Sequence, residues 1–221
     1  MSIAFTDSAG LGPRTSHSYP SVDIGAAAAD RYVLVIVGSR TGVAGQTYSV
    51  PTIGGVSMTE LVVSTLDTKS YTRIYIANVT SGTTTTIAFT VSGVGAESAI
   101  SVYRLDSLDS ASAFDTVTAN GSNPMSGTID IPTNGVVIAG AIEFTTSATW
   151  TGLTKDVDQP MDATPYLSTA SDSFASAITG RTISSNFGSG SNGALAGVSL
   201  TFGGGGGGDV ASNALAFGGG M

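Results

Sequence analysis

"SYTRIYIANVTSGTTTTIAFTVS", residues 70 to 92, decides the fold class. Ile87, Phe89 and Val91 alternate with Thr86, Ala88, Thr90 and Ser92, a period of two that sends apolar side chains to one face and hydroxyls to the other. Ser81-Gly82 separates this run from the aromatic run before it. Outward from here the pattern recurs: Ala196, Val198, Leu200 and Phe202 alternate with Gly197, Ser199 and Thr201. Two stretches differ. RYVLVIVG (31–38) is apolar on both faces, and so is 136–144, where Val136, Ile138, Ile142 and Phe144 share one side and Val137, Ala139 and Ala141 the other. Both are predicted to be central or covered strands. Turn signals at Gly54-Gly55, Ser81-Gly82 and Thr133-Asn134-Gly135 are read as hairpins. Residues 25–30, GAAAAD, are too short and aperiodic for an amphipathic helix. The expectation is an all-β protein, an antiparallel β-sandwich or jelly roll of roughly ten strands. Surface loops are expected at Asp106 to Pro124 and Asp156 to Asp172.

Composition narrows the function classes. Of 221 residues only 11% are charged, and the net charge of −8 supplies no basic footprint for phosphates, so nucleic acid and anionic membranes are not expected partners. Tyr32 to Val37, the longest apolar stretch, is too short to span a bilayer, and a soluble protein is expected. The N-terminal stretch lacks the basic and apolar regions of a secretory signal, which predicts synthesis in the cytoplasm. Without cysteine there is no disulfide or thiolate chemistry.

Candidate chemistry is sparse. His17, the sole histidine, sits in PRTSHSYPS and is read as a surface or interface side chain in preference to a catalytic base, because no G-x-S-x-G elbow accompanies it. Glu143, on an otherwise apolar strand, is read as an interface or edge carboxylate. Asp156 and Asp158 form a D-x-D without the remaining ligands of a calcium loop, and are read as solvated, as are Asp106 and Asp109. No cofactor or metal is expected. Trp150, with Tyr48 and Tyr166, would form a sugar-stacking platform only if the three converged on one exposed face.

GVSMTELV, RIYIANVTSGTTTTIAFTVSG, SVYRLDSL and IPTNGVVIAGAIEFTTSATWTGL together resemble a β-sandwich module of structural proteins in tailed bacteriophages and prophages. The resemblance covers residues 31–202. It carries no catalytic residue and implies a virion component made in the host cytoplasm: capsid decoration, head spike or tail appendage. Its expected partners are further copies of the chain, as a trimer, and the major capsid or other virion proteins. A tail or fibre component and a carbohydrate-binding module are the alternatives. Residues 1–30 are read as an N-terminal arm with the first strand, and the glycine-rich 203–221 as a C-terminal assembly arm with Val210, Leu215 and Phe217 as its contacts. Ordering nineteen residues at about 1–2 kcal/mol each outweighs what those side chains gain by burial. The arm is therefore expected to order only in an assembly.

Overall fold

A computed structural model describes residues 2–93, 95–143, 147–162, 164–188 and 192–203. Among the described residues period-two alternation folds into seventeen antiparallel strands, and no helix occurs. The class is the one expected; the strand count is higher. The first nine strands are β1 (Ser2–Arg14), β2 (Ser16–Asp23), β3 (Arg31–Arg40), β4 (Thr52–Ile53), β5 (Val56–Ser57), β6 (Thr59–Leu66), β7 (Ser70–Asn78), β8 (Thr84–Thr90) and β9 (Ala96–Asp106). Eight more follow: β10 (Asp115–Ser122), β11 (Met125–Ile131), β12 (Gly135–Glu143), β13 (Thr149–Thr151), β14 (Thr154–Pro160), β15 (Tyr166–Phe174), β16 (Ile178–Asn186) and β17 (Asn192–Thr201).

Strand order exposes a duplication. The first nine strands form a five-stranded sheet, β1-β9-β3-β7-β6, and a smaller one, β2-β8-β4-β5. The last eight form β10-β17-β12-β15-β14 and β11-β16-β13, the same order strand for strand, with β5 as the one addition in the first repeat. Short sequence echoes match it. Val22-Asp23-Ile24 precedes β3 as Ile129-Asp130-Ile131 precedes β12, with both isoleucines buried. Setting Gly38 on Gly140 superposes Leu34 and Ile36 on Val136 and Ile138.

The four sheets stack in layers around three cores. Tyr19, Ile87 and Phe89 of the first small sheet meet Val33, Val35, Tyr75 and Val102 of its large sheet. Leu34, Ile36, Ile74 and Tyr103, on the other face of that large sheet, meet Val136, Ile138, Leu167 and Val198 of the second large sheet. Val137, Ala139, Ala141 and Leu195 then meet Ile129, Ile131, Ile183 and Phe187 of the last layer. This explains the two doubly apolar runs: β3 and β12 are central strands of large sheets covered on both faces. Between the large sheets, β3 packs on β12, β6 on β10 and β17, and β1 on β14. Because β1 corresponds to β10 and β6 to β14, this pattern is a pseudo-two-fold, the intramolecular counterpart of an isologous dimer face.

Several expectations change. Residues 106–124 and 156–172, read as loops, contain β10, most of β14 and most of β15; β10 and β14 are edge strands with most positions exposed or half-buried, while in the interior strand β15 the polar Ser168 and Thr169 are buried. Ser81-Gly82 and Thr133-Asn134-Gly135 are not hairpins: each carries the chain between a large and a small sheet, β7 to β8 and β11 to β12. Asn134 there has φ 52°, so the turn chemistry is present but the strands it joins do not pair. Gly54-Gly55 is a two-residue hairpin, both at positive φ, with Ile53 opposite Val56. Within residues 1–30, β1 and β2 are built into the first repeat as edge strands. Arg31 is fully buried; its guanidinium donates to the carbonyls of Val79 (2.6 Å), Gly25 (2.7 Å), Ser81 (2.7 Å) and Ile24 (3.4 Å), tying two loops to the start of β3.

Candidate functional site

Strand alternation in β2 places Ser16 and Ser18 outward and turns His17 and Tyr19 inward. His17 is 0% exposed, which corrects its reading as a surface side chain. Its ring stacks on Phe89 at 4.7 Å between centroids and 11° between planes. Nε2 lies 3.0 Å from the Arg14 carbonyl, which only accepts, so Nε2 carries the proton. Nδ1 then accepts from the Ser98 hydroxyl at 2.5 Å, and Ser98 Oγ accepts from Tyr19 at 2.6 Å. Burial lowers the imidazole to about 4, keeping it neutral at pH 7. Serine and histidine are paired as in hydrolases, but a carbonyl stands where the orienting carboxylate belongs, and Ser98 is sealed at 0% exposure. The constellation is a closed hydrogen-bond chain.

The three aromatic candidates are not brought onto one face. Tyr48 belongs to the first repeat, bridging to Val91 and packing on Tyr71 at 4.8 Å beneath the Arg73 guanidinium at 5.2 Å. Burial pushes its phenol up to about 12. Trp150 sits in β13, in the opposite outermost sheet, half-buried, its indole N–H donating to Ser168 Oγ at 2.9 Å. Tyr166 begins β15 opposite Glu143; the Glu143 side chain lies outside the described residues. Tyr48 and Trp150 are thus drawn into the interiors of different repeats.

The acidic candidates are occupied locally. Asp156, half-buried on β14, accepts from the Tyr103 hydroxyl at 2.8 Å across the two large sheets, and burial raises its carboxyl. Asp158 pairs with Lys155 at 2.7 Å. These residues lie on a strand, not in the solvated loop expected. Asp106 pairs with Arg104 at 2.9 Å, and the Asp109 amide donates to the Thr201 carbonyl. Among the described residues no group of three or more His, Asp or Glu side chains is placed to hold a metal.

Three further features went unnoticed in the sequence. A trough at one end of the stack opens on both sides of Arg40, Thr41 and Gly42, with about 220 Å³ toward Glu97 and Pro13 and about 220 Å³ toward Asp67, Lys69 and Asn192. Its charges are mixed and balanced. The two outermost faces carry small side chains, mostly hydroxyls: Ser18, Ala88, Thr52 and Ser57 form one row across the first, and Ser126, Ser184 and Thr151 form one across the second. Gly203, the last described residue, donates its amide to Ser107 O at 2.8 Å, and Phe114, 56% exposed, donates its amide to Ser199 O. Val210, Leu215 and Phe217 lie outside the described residues. The signal for the duplicated faces was present in the V/I-D-I echo and in two matching glycines. Comparison with known proteins finds no matching family model, no matching curated protein and no matching solved structure.

Proposed function

We propose that the chain is a non-enzymatic virion structural protein, a decoration or cement subunit of a capsid surface, working as a homo-oligomer, with a trimer as the expected state. The observation that carries this reading is the four-layer stack itself. Its three cores consume apolar faces of all four sheets, and it presents two hydroxyl-rich outer faces about 30 Å apart, three sheet spacings. Apart from Asp23 and Asp130 on edge strands, the strand residues on those faces carry no charge, although the whole chain has a net charge of −8. A rigid block with near-neutral faces suits repeated lateral packing on a particle, where like-charged copies must approach closely. The resemblance of residues 31–202 to phage structural modules points the same way.

Cryo-electron microscopy or immunogold labelling of particles from the producing host tests the proposal. Regular density or label over the head supports it. Label on the tail would replace decoration with the appendage reading, and a protein absent from purified particles would reject a virion role. Removing residues 204–221 should leave the stack folded, since the last described strand ends at Thr201, and reduce incorporation if that segment acts as an assembly arm.

A further inference from the structure

The duplication supplies an internal comparison: two small sheets of the same strand order cover two large sheets, and the chain's sole histidine lies beneath only one of them. His17 on β2 links three elements. Its ring stacks on Phe89 of β8, Nε2–H donates to Arg14 at the end of β1, and Nδ1 accepts from Ser98 of β9, which in turn accepts from Tyr19. Every polar atom in this chain has one partner of the right sense. A second proton on the ring breaks it. With both nitrogens donating, Ser98 must accept from Nδ1, and one hydroxyl hydrogen is left without an acceptor: that of Ser98 if Ser98 still accepts from Tyr19, or that of Tyr19 if Ser98 turns to donate to it.

The surroundings offer the imidazolium no counter-charge. Arg14, the charged group that acts on the ring, is itself positive. From β8 the ring meets Phe89 and from β9 Ser98, both neutral. Glu97, beside Ser98 in β9, points to the opposite face of its sheet by alternation, where Arg40 and Asp162 act on it. We infer that His17 is an acid-sensing latch whose protonation opens the first repeat's outer sheet while the second repeat stays closed.

The direction follows from linkage. The closed ring titrates at about 4 and a free ring at 6.5, so the open form binds the proton more tightly. Closure is fully supported above pH 6.5 and loses support as pH falls toward 4. The opening equilibrium rises by up to about tenfold per pH unit inside that window, roughly a hundredfold between pH 7 and 4. Raised carboxyls such as Glu97 act in the opposite direction and cannot produce this loss.

Hydrogen exchange of the full-length chain from pH 7 to 4, corrected for the intrinsic pH dependence of exchange, reads the two outer sheets separately. Peptides covering 16–23 and 84–90 should lose protection about a hundredfold while those covering 125–131 and 178–186 hold theirs. His17→Gln, whose neutral amide cannot take up the proton, should abolish the difference. Parallel loss in both sheets, or an unchanged profile in His17→Gln, overturns the inference. If that variant does not fold, the wild-type chain still decides: its single histidine gives one set of imidazole resonances, and a titration midpoint near 6.5 in the closed protein would overturn it.

Discussion

Gly140 lies at the centre of β12, where the two repeats press against each other near the pseudo-two-fold axis, and replacing it by alanine tests that packing directly. A Cβ built there would stand 2.6 Å from Ile36 Cγ2 and 3.4 Å from both Ile36 Cδ1 and Thr72 Cγ2. Ile36 is β-branched, fully buried and held in the middle of β3, so its Cγ2 has no free rotamer to retreat into. Overpacking of this kind costs about 1–3 kcal/mol. Loss of backbone freedom in the unfolded chain returns about 0.4–1 kcal/mol, leaving a net destabilisation of about 1–2 kcal/mol. For a chain of this length that lowers Tm by about 2–8 °C.

Gly38, the matching position in the first repeat, gives the control. There the added Cβ would meet Leu167 Cδ1 at 3.0 Å and Met161 Cε at 3.1 Å, ends of side chains that can yield, and Leu167 Cβ at 3.2 Å, with no contact as short as the 2.6 Å at Gly140. Gly38→Ala should therefore cost less than Gly140→Ala, within about 0.5 kcal/mol of wild type. Urea unfolding followed by tryptophan fluorescence and far-UV circular dichroism measures both, provided the two probes coincide. In an Ile36→Ala background the penalty of Gly140→Ala should shrink, giving a coupling above about 0.5 kcal/mol. Additive effects, or a Gly140→Ala protein as stable as wild type, would refute the proposed contact between repeats.

Arg31→Met leaves the carbonyls of Val79, Gly25 and Ser81 without their buried donor and should cost about 3–5 kcal/mol in urea unfolding, with Arg31→Lys recovering only part of it. Tyr103→Phe removes the hydroxyl that donates to Asp156 across the large sheets and should cost about 1–3 kcal/mol. It should also raise the Asp156 carboxyl further, because Tyr103 stabilises the charged form; a carboxyl carbon titration by NMR checks the direction. A protease site inserted after Ser110, in the exposed connection between β9 and β10, should be cut without separating the halves, since the core shared by the two large sheets holds them together. Two half-size peaks in size-exclusion chromatography after cleavage would contradict this.

Side-chain periodicity was legible where a strand has one wet face. The run at 86–92 lies where its alternation puts it and the two doubly apolar runs became the central strands β3 and β12, whereas 196–202, expected to have one wet face, belongs to β17 between β10 and β12, where Gly197 and Ser199 are buried as well. Edge strands were not legible. In β10, DTVTANGS, and β14, TKDVDQP, most positions are exposed or half-buried, so little hydrophobic contrast remains and polar composition imitates a loop. Pairing was hidden too: Ser81-Gly82 and Thr133-Asn134-Gly135 have hairpin chemistry but join strands of different sheets, and only long-range packing separates those outcomes. His17 was misplaced because its serine-rich neighbours suggested a surface, although Ser16 and Ser18 on either side are what alternation requires around an inward residue.

The duplication itself follows from covering a five-stranded sheet. Each large sheet has apolar side chains on both faces, and its own repeat brings only one small sheet, of four or three strands, to cover one of them. The other face, with Leu34, Ile36 and Ile74 in one repeat and Val136, Ile138 and Leu167 in the second, needs a partner of equal width. The partner available within the chain is the second large sheet, turned about the pseudo-two-fold so that β1 covers β14 and β6 covers β10. A single repeat would expose that face and associate with another copy through it; joining two repeats in one chain makes the association intramolecular and removes its dependence on concentration. Any further self-assembly must then use what the internal dimer leaves outside: the two hydroxyl faces, the sheet edges and the exposed Phe114. Selection on those surfaces can act on each repeat separately, and His17, present beneath one outer sheet and not the other, is the divergence that makes the two halves chemically distinguishable.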